Sequence, residues 1–304
     1  MKAVICTRYG GPEVLEIREI EKPVPKENEL CVRVYASAVN SGDVRVRSLA
    51  VPGWMKPIMR LVLGFSKPRK PILGTVFSGT VESTGAKVSR FKSGDRVFGM
   101  TGFGFGTHAA YLKIKEDAFV TAMPANATYE EAAALVFGGQ TAVYFLDKLK
   151  VKKDDHILVI GSTGAVGSAA VQLAVALGAQ VTAVCSTAGR TLMEALGIGR
   201  IICYDEENFL EHQEKFDAIF DAVGKTTKRQ CRKLLKQGGG FKTVGGLEVA
   251  AESRQQLETL KRRYEAGALQ AVIDKVYPLD QIVAAHSYVD SGRKKGNVVI
   301  SIPD

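Results

Sequence analysis

Three glycines spaced three apart, Gly161, Gly164 and Gly167, lie in the stretch ILVIGSTGAVGSAAVQLAVALGAQVTAVCSTAGR, residues 157 to 190. An apolar run precedes them, and small and apolar residues at helical spacing follow. In a strand-turn-helix unit this pattern binds a pyrophosphate. Gly161 permits the tight turn, Gly164 lets backbone approach the phosphates, and Gly167 lets the helix pack close on the strand. The phosphates then rest on free N–H groups at a helix N-terminus, where the helix dipole favours negative charge. A lone glycine motif is weak evidence; strand, turn, helix and second strand arriving in order give it weight.

An acidic residue at the end of the second strand would hydrogen-bond the ribose 2′-OH of NAD and repel a 2′-phosphate. No acid occurs between Asp155 and Glu194. Ser186 and Thr187 offer hydroxyls there, and Arg190 a guanidinium that can grip a phosphate in two places. The expected cofactor is therefore NADP, used as NADPH. The alternative is that Arg190 lies on a solvated helix face.

The elements that must position this turn are legible on either side of it. Up to about residue 120, short runs of period-2 alternation such as LCVRVYA (30 to 36) and VFSGTVEST (76 to 84) are separated by Gly, Pro and Asp clusters, the texture of a compact antiparallel barrel. From about 123 onward, strand candidates at 156 to 161, 180 to 185, 200 to 203, 217 to 221 and 240 to 244 alternate with helices, as at 165 to 177 and 226 to 236. Such alternation makes a doubly wound parallel sheet. The tail GRKKGNVVISIPD reads as a last strand returning to the first domain.

Composition narrows the function classes. The chain has 304 residues, 46% of them hydrophobic and 24% charged, enough for two domains and a large core. The five cysteines, Cys6, Cys31, Cys185, Cys203 and Cys231, form no C-x-x-C pair, so neither a disulfide framework nor a structural zinc is signalled. The formal charge of +9 invites polyanions, but Lys and Arg are scattered among acids with no basic-aromatic signature, so no nucleic-acid partner is expected. The N-terminus lacks the apolar core of a secretory signal, and no run of about 20 apolar residues occurs. A cytoplasmic protein without membrane insertion is expected.

Residues 49 to 70, LAVPGWMKPIMRLVLGFSKPRK, mix apolar bulk with Lys and Arg, and Pro52, Pro57 and Pro68 interrupt any long helix. Three readings stay open: a loop roofing a substrate pocket, with Trp54, Met55, Met59 and Phe65 as apolar walls; contact with a membrane surface; or packing between domains.

The segments AVNSGDVRVRS, GTVFSGTVESTGAKVSRFKSGDRVFG, the glycine turn with AAVQLA, FDAVG, VGG and KKGNVVISI together resemble the medium-chain dehydrogenase/reductase superfamily, specifically its zinc-free quinone oxidoreductase (zeta-crystallin-like) branch. The resemblance covers nearly the whole chain. It implies an α/β protein with a GroES-like β-barrel catalytic domain, residues 1–122 completed by 266–304, and a Rossmann doubly wound parallel sheet, residues 123–265, binding NADP. Zinc enzymes of the superfamily carry a Cys soon after the AVN-like strand and a Gly-His-Glu motif. Here Ser41, Thr75 and Val76 stand in those places, and the four-Cys lobe is missing, so no metal is expected.

The activity implied is hydride transfer from NADPH to quinones or to the activated C=C of α,β-unsaturated carbonyls, hydrophobic small molecules in which conjugation itself delocalises the developing charge. By the same resemblance Asn40 is a polar contact near the nicotinamide ribose and substrate, with Asp43 beside it; both could equally fix a turn. Thr141 lies beside the nicotinamide, and Gly164, Ala165 and Val166 line the pyrophosphate. Ser186, Arg190 and Tyr204 match the 2′-phosphate pocket. Val223, Gly224, Val244, Gly245 and Gly246 end later strands near the nicotinamide half, and Asn297, where a Lys is frequent, approaches the cofactor as a neutral donor. Tyr35, Tyr144 and His108 are conceivable proton donors, and water is another. A homodimer through the sheet edge is usual in such folds. The alternative function is an NADPH-binding regulatory or interaction protein with little turnover.

Overall fold

The computed structural model describes residues 1–51 and 53–303, Trp54 by its backbone alone. Expectations placed on Pro52 and on the Trp54 side chain fall outside the described residues. The chain divides into two compact units, Met1–Val136 with Ile273–Asp304, and Phe137–Val272.

The first unit opens with β1 (Lys2–Cys6), β2 (Leu15–Glu19) and the long β3 (Glu29–Val39), then α1 (Ser41–Ser48) and α2 (Lys56–Leu63). It continues with β4 (Val76–Thr84), β5 (Arg96–Met100), β6 (Tyr111–Lys115) and β7 (Val120–Ala122). Helix α3 (Tyr129–Leu149) begins in this unit and ends in the next. Sequence texture puts the joins at 122/123 and 265/266, whereas the units divide at 136/137, inside α3, where no change of pattern marks the join, and at 272/273.

The second unit contains β8 (His156–Ile160), α4 (Ala165–Ala176), β9 (Gln180–Cys185), α5 (Arg190–Ala195), β10 (Arg200–Cys203), β11 (Phe216–Asp221), β12 (Leu235–Thr243) and α6 (Arg254–Glu265). Its strands pair in the order β10-β9-β8-β11-β12, all parallel. The chain winds outward from β8 through β9 to β10, then crosses to β11 and β12, so the order reverses beside β8. Ligands of such sheets bind at that switch point, outside the carboxyl ends of the strands. All five residues of β8 are buried, as a central parallel strand requires. Ala165 to Ala174 of α4 are buried without interruption, which explains why that helix is built from Ala, Gly, Ser and Val.

The expected helix over 226 to 236 is not formed. Only a short 3-10 stretch, Gln230–Leu234, occurs, and β12 starts at once. Its buried residues are Cys231 and Leu234. The Thr226 N–H and hydroxyl are drawn to Asp221, and β12 takes up Leu235 and Lys236 at the end of the expected helix.

The chain returns to the first unit through β13 (Ile273–Pro278), α7 (Ile282–Asp290) and β14 (Asn297–Ser301). A sheet runs β13-β14-β3-β4-β5-β7, with β6 pairing β3. Strand β3 therefore has partners β14, β4 and β6. Nine of its eleven residues are buried, so the alternation legible in LCVRVYA does not mark a solvent face. Val32, Leu73, Phe77, Val97 and Val298 belong to the core around it; each such side chain contributes about 1.5–3 kcal/mol by leaving water. Arg33, buried in the same strand, donates to the carbonyls of Val34 and Ala110 at 3.0 Å and of Pro303 at 2.8 Å, tying down the C-terminal tail.

Candidate functional site

At the carboxyl end of β8 the chain turns sharply. The Gly161 and Ser162 amides both donate to Val184 O, at 2.9 and 3.1 Å. Gly161 has φ +75°, a conformation that favours glycine, and a Cβ there would run into Val223 Cγ2. A Cβ on Gly167 would press on Gly161 O and lie 2.7 Å from Ser162 Cα, so this glycine allows the helix to sit tight on its strand. Gly164 is different. It is the N-cap of α4, it has ordinary extended backbone, and its Cβ would meet only Gly161 O at 3.7 Å. Open space therefore faces the N-terminus of α4 beside Ala165 and Val166, whose cap supplies no side-chain acceptor for the first amides. Sequence reasoning missed Gly138 of α3: a Cβ there would clash with Ala165 O and stand 3.1 Å from the Val166 amide, so α3 backs directly onto the turn. Its signal was the small pair Gly138-Gly139. Thr141, one turn along α3, spends its hydroxyl on Phe137 O at 2.8 Å.

Beyond β9, Ser186 caps a short 3-10 turn, and Thr187 and Arg190 follow. The missing acid is supplied here by the loop after β10. Thr187 N–H reaches Asp205 at 2.8 and 3.1 Å, and its hydroxyl reaches Asp205 at 2.9 Å and Glu206 at 3.1 Å. The Thr187 amide, foremost, holds the Asp205 carboxyl below the usual carboxylate range. Arg190 Nη2 pairs with Glu206 Oε2 at 3.1 Å and touches Cys203 Sγ at 3.2 Å. Thr187 and Arg190 are thus already engaged by acids that lie outside the acid-free stretch 156 to 193. Tyr204, beside them, is exposed, and its amide donates to Cys185 O.

At the ends of β11 and β12, buried Asp221 organises the backbone. One oxygen accepts from the amides of Val223 (3.0 Å) and Gly224 (2.8 Å); the other accepts from Thr226 and from the Thr243 hydroxyl. Val244 N–H closes on Asp221 O at 3.0 Å. Gly224, at φ +78°, approaches Gly245 so closely that a Cβ on it would lie 2.6 Å from Gly245 Cα. Val223 and Gly245 are exposed at this edge, as is Gly246. The sequence offered Asp221 in FDAVG without revealing that its carboxylate shapes both loops.

Asn40, Asp43 and Asn297 belong to the first unit. Asn40 caps α1: its Oδ1 accepts from Gly42 N at 2.8 Å and Asp43 N at 3.2 Å, and Asp43 returns the bond by accepting from Asn40 N at 2.9 Å. The second Asp43 oxygen accepts from Gly74 N at 3.1 Å. Burial pushes the Asp43 carboxyl up to about 7 against these two backbone bonds. Its fully buried, doubly bonded carboxyl gives Asp43 the turn-fixing role rather than a face toward substrate. Asn40 Nδ2 donates to Thr75 Oγ1 at 2.8 Å. Asn297 opens β14 and is buried.

The donor set does not fit zinc. Thr75 Oγ1 is bonded to Asn40, Val76 offers no ligand atom, and no cluster of three His, Cys, Asp or Glu side chains occurs among the described residues. Nor is His108 suited to proton donation: it is fully buried, desolvation pushes its imidazole down to about 4, and its ring packs edge-on against His286. Tyr144 donates to Glu248 at 3.1 Å, and Tyr35 stacks on Tyr129 with ring centroids 4.6 Å apart.

This fold and turn are those of a nucleotide-dependent oxidoreductase. Residues 26–125 match the family described as alcohol dehydrogenase GroES-like domain, and residues 165–279 that described as zinc-binding dehydrogenase. A 2-methylene-furan-3-one reductase of Solanum lycopersicum is 32% identical over 99% of this chain and 79% of its own length. An NADPH-dependent alkenal/one oxidoreductase of Arabidopsis thaliana is 29% identical over the same shares. The solved quinone oxidoreductase of Coxiella burnetii superposes with a TM-score of 0.89 at 26% identity, covering 100% of this chain and 99% of that one. The chain belongs to the medium-chain dehydrogenase/reductase superfamily, in the zinc-free branch of quinone and enone reductases.

Proposed function

We propose that the protein reduces quinones or the activated C=C of α,β-unsaturated carbonyls with NADPH. The observation that carries this reading is the glycine turn, where Gly161 and Gly167 are required by packing while Gly164 faces open space at the N-terminus of α4. That is a cradle for a pyrophosphate on the amides of Gly164, Ala165 and Val166. Ser186, Arg190 and Tyr204 would hold the adenosine ribose and its 2′-phosphate, Arg190 exchanging Glu206 for the phosphate. Thr141, Val223, Gly224, Val244, Gly245 and Gly246 of the second unit would line the nicotinamide half; in the first unit Asn297 would serve as a neutral donor and Asn40, paired with Thr75, as a polar contact for substrate.

The reduced nicotinamide, when bound, supplies the hydride. A conjugated acceptor spreads the resulting charge onto its oxygen, so hydrogen-bond donors suffice there and no Lewis acid is required. With His108 and Asp43 both sealed in the interior, the proton comes from water. The names of the relatives support the same acceptors. The five cysteines are all free and buried, which suits a reducing cytoplasm, and a homodimer through the sheet edge belongs to the same reading. The test is isotopic: NADPH deuterated at the transferring position should leave one deuterium on the β-carbon of an enone product. Deuterium on the carbonyl carbon would contradict the proposal.

A further inference from the structure

The segment 49 to 70 resolves into an eight-residue helix, α2, none of whose residues is buried. Within it Ile58, Leu61 and Val62 stand at i, i+3 and i+4, on one face, and are 56, 61 and 61% exposed; Phe65, just past the Gly64 cap, is 68% exposed. Packing elsewhere in the unit does not call on these side chains. The helix is nevertheless held in place: Tyr9 donates to Gly64 O at 2.8 Å and Arg69 N–H to Leu63 O at 2.6 Å. Lys70, in the basic stretch after the helix, donates to Phe103 O at 3.1 Å, and Phe103 is itself 80% exposed.

The segment that carries this face holds charge of one sign. Between Asp43 and Glu82 the chain has no acidic residue, and Lys56, Arg60, Lys67, Arg69 and Lys70 are all exposed. We propose that α2 and its basic flanks dock the protein on an anionic lipid surface, with Ile58, Leu61, Val62 and Phe65 entering the headgroup boundary. The helix is amphipathic, basic on the flanks and too short to span, which is the arrangement of an interfacial anchor. A convex apolar helix needs a matching groove in a protein partner, whereas a bilayer accepts its shape as it stands. No helix among the described residues is long and apolar enough to cross a membrane, so docking is peripheral. This inference stands apart from the catalytic reading.

The test is co-sedimentation of the full chain with vesicles of phosphatidylcholine, with and without phosphatidylserine, at low and high salt. Binding to the mixed vesicles alone is expected, weakening steeply with salt. The double variant Leu61→Ser, Val62→Ser alters only exposed positions; it should keep its thermal transition and lose binding at least tenfold. The triple variant Lys67→Gln, Arg69→Gln, Lys70→Gln should do the same. No binding to anionic vesicles would overturn the proposal, and so would full retention by the Ser variant, which would mean diffuse attraction to the +9 charge. A concentration-dependent dimer of the parent that is lost in the Ser variant, without vesicle binding, would assign the face to a second copy instead.

Discussion

Arg190 and Glu206 meet at 3.1 Å just beyond the carboxyl ends of β9 and β10. In the proposed NADPH complex a 2′-phosphate on Arg190 would compete with that carboxylate for the guanidinium. Glu206→Gln should therefore raise NADPH affinity several-fold and leave NADH affinity nearly unchanged. The gain is modest because exposed ion pairs are weak. Titration of nucleotide fluorescence on binding measures both, and an unchanged NADPH to NADH ratio would place the phosphate elsewhere.

Arg190→Ala acts in the opposite sense. It should weaken NADPH binding by roughly tenfold or more, the weight of a hydrogen bond to a charged group, with far less effect on NADH. Equal losses for the two nucleotides would remove Arg190 from the phosphate site.

The two glycines of the turn separate binding from folding. Gly164→Val adds its side chain to open space, so it should cost at most about 1 kcal/mol as an N-cap change while abolishing binding of both nucleotides. Gly167→Ala presses on Gly161 O and Ser162 Cα and should cost the fold about 1–3 kcal/mol by overpacking. Thermal unfolding beside nucleotide titration distinguishes them; intact binding in the Gly164 variant would mean that the pyrophosphate lies elsewhere.

The glycine turn, the β8 to β11 strands and the returning tail were legible because each depends on local pattern: an apolar run, a punctuating glycine, a period. What was not legible depends on distance. Asp205 and Glu206 follow β10, and only the parallel pairing Cys203↔Cys185 carries them to the end of β9, where the sequence showed no acid. Burial of β3 was hidden in the same way, since three partners remote in sequence cover it. The helix expected at 226 to 236 is replaced by a 3-10 stretch and an early β12, and Thr226 bonds to Asp221, a contact that a hydrophobic period does not encode.

Buried imidazoles set an acid limit. Desolvation first, then Arg47 and His108 nearby, push His286 down to about 2, and neither of its ring nitrogens has a hydrogen-bond partner among the described residues. His108 lies at about 4. Both fall below the unfolded value of about 6.5, so the unfolded chain binds more protons and stability falls as pH drops below 6.5. Asp43, raised to about 7, acts oppositely, its stabilisation being lost as pH rises from 3.8 through 7. Two histidines outweigh one carboxyl. These three groups together should make stability rise with pH between about 4 and 6.5 by on the order of 1 kcal/mol per pH unit. His286→Phe should flatten that slope in denaturant titrations at several pH values; an unchanged slope would contradict the assignment.

The most direct test of the catalytic reading is NADPH oxidation, followed by absorbance, against a quinone, a conjugated enone, an enal and a saturated ketone, each with and without a metal chelator. Turnover of the conjugated acceptors that resists the chelator, with the ketone inert, is the expected result. Chelator-sensitive reduction of the ketone, or tight NADPH binding with no turnover of any acceptor, would contradict it.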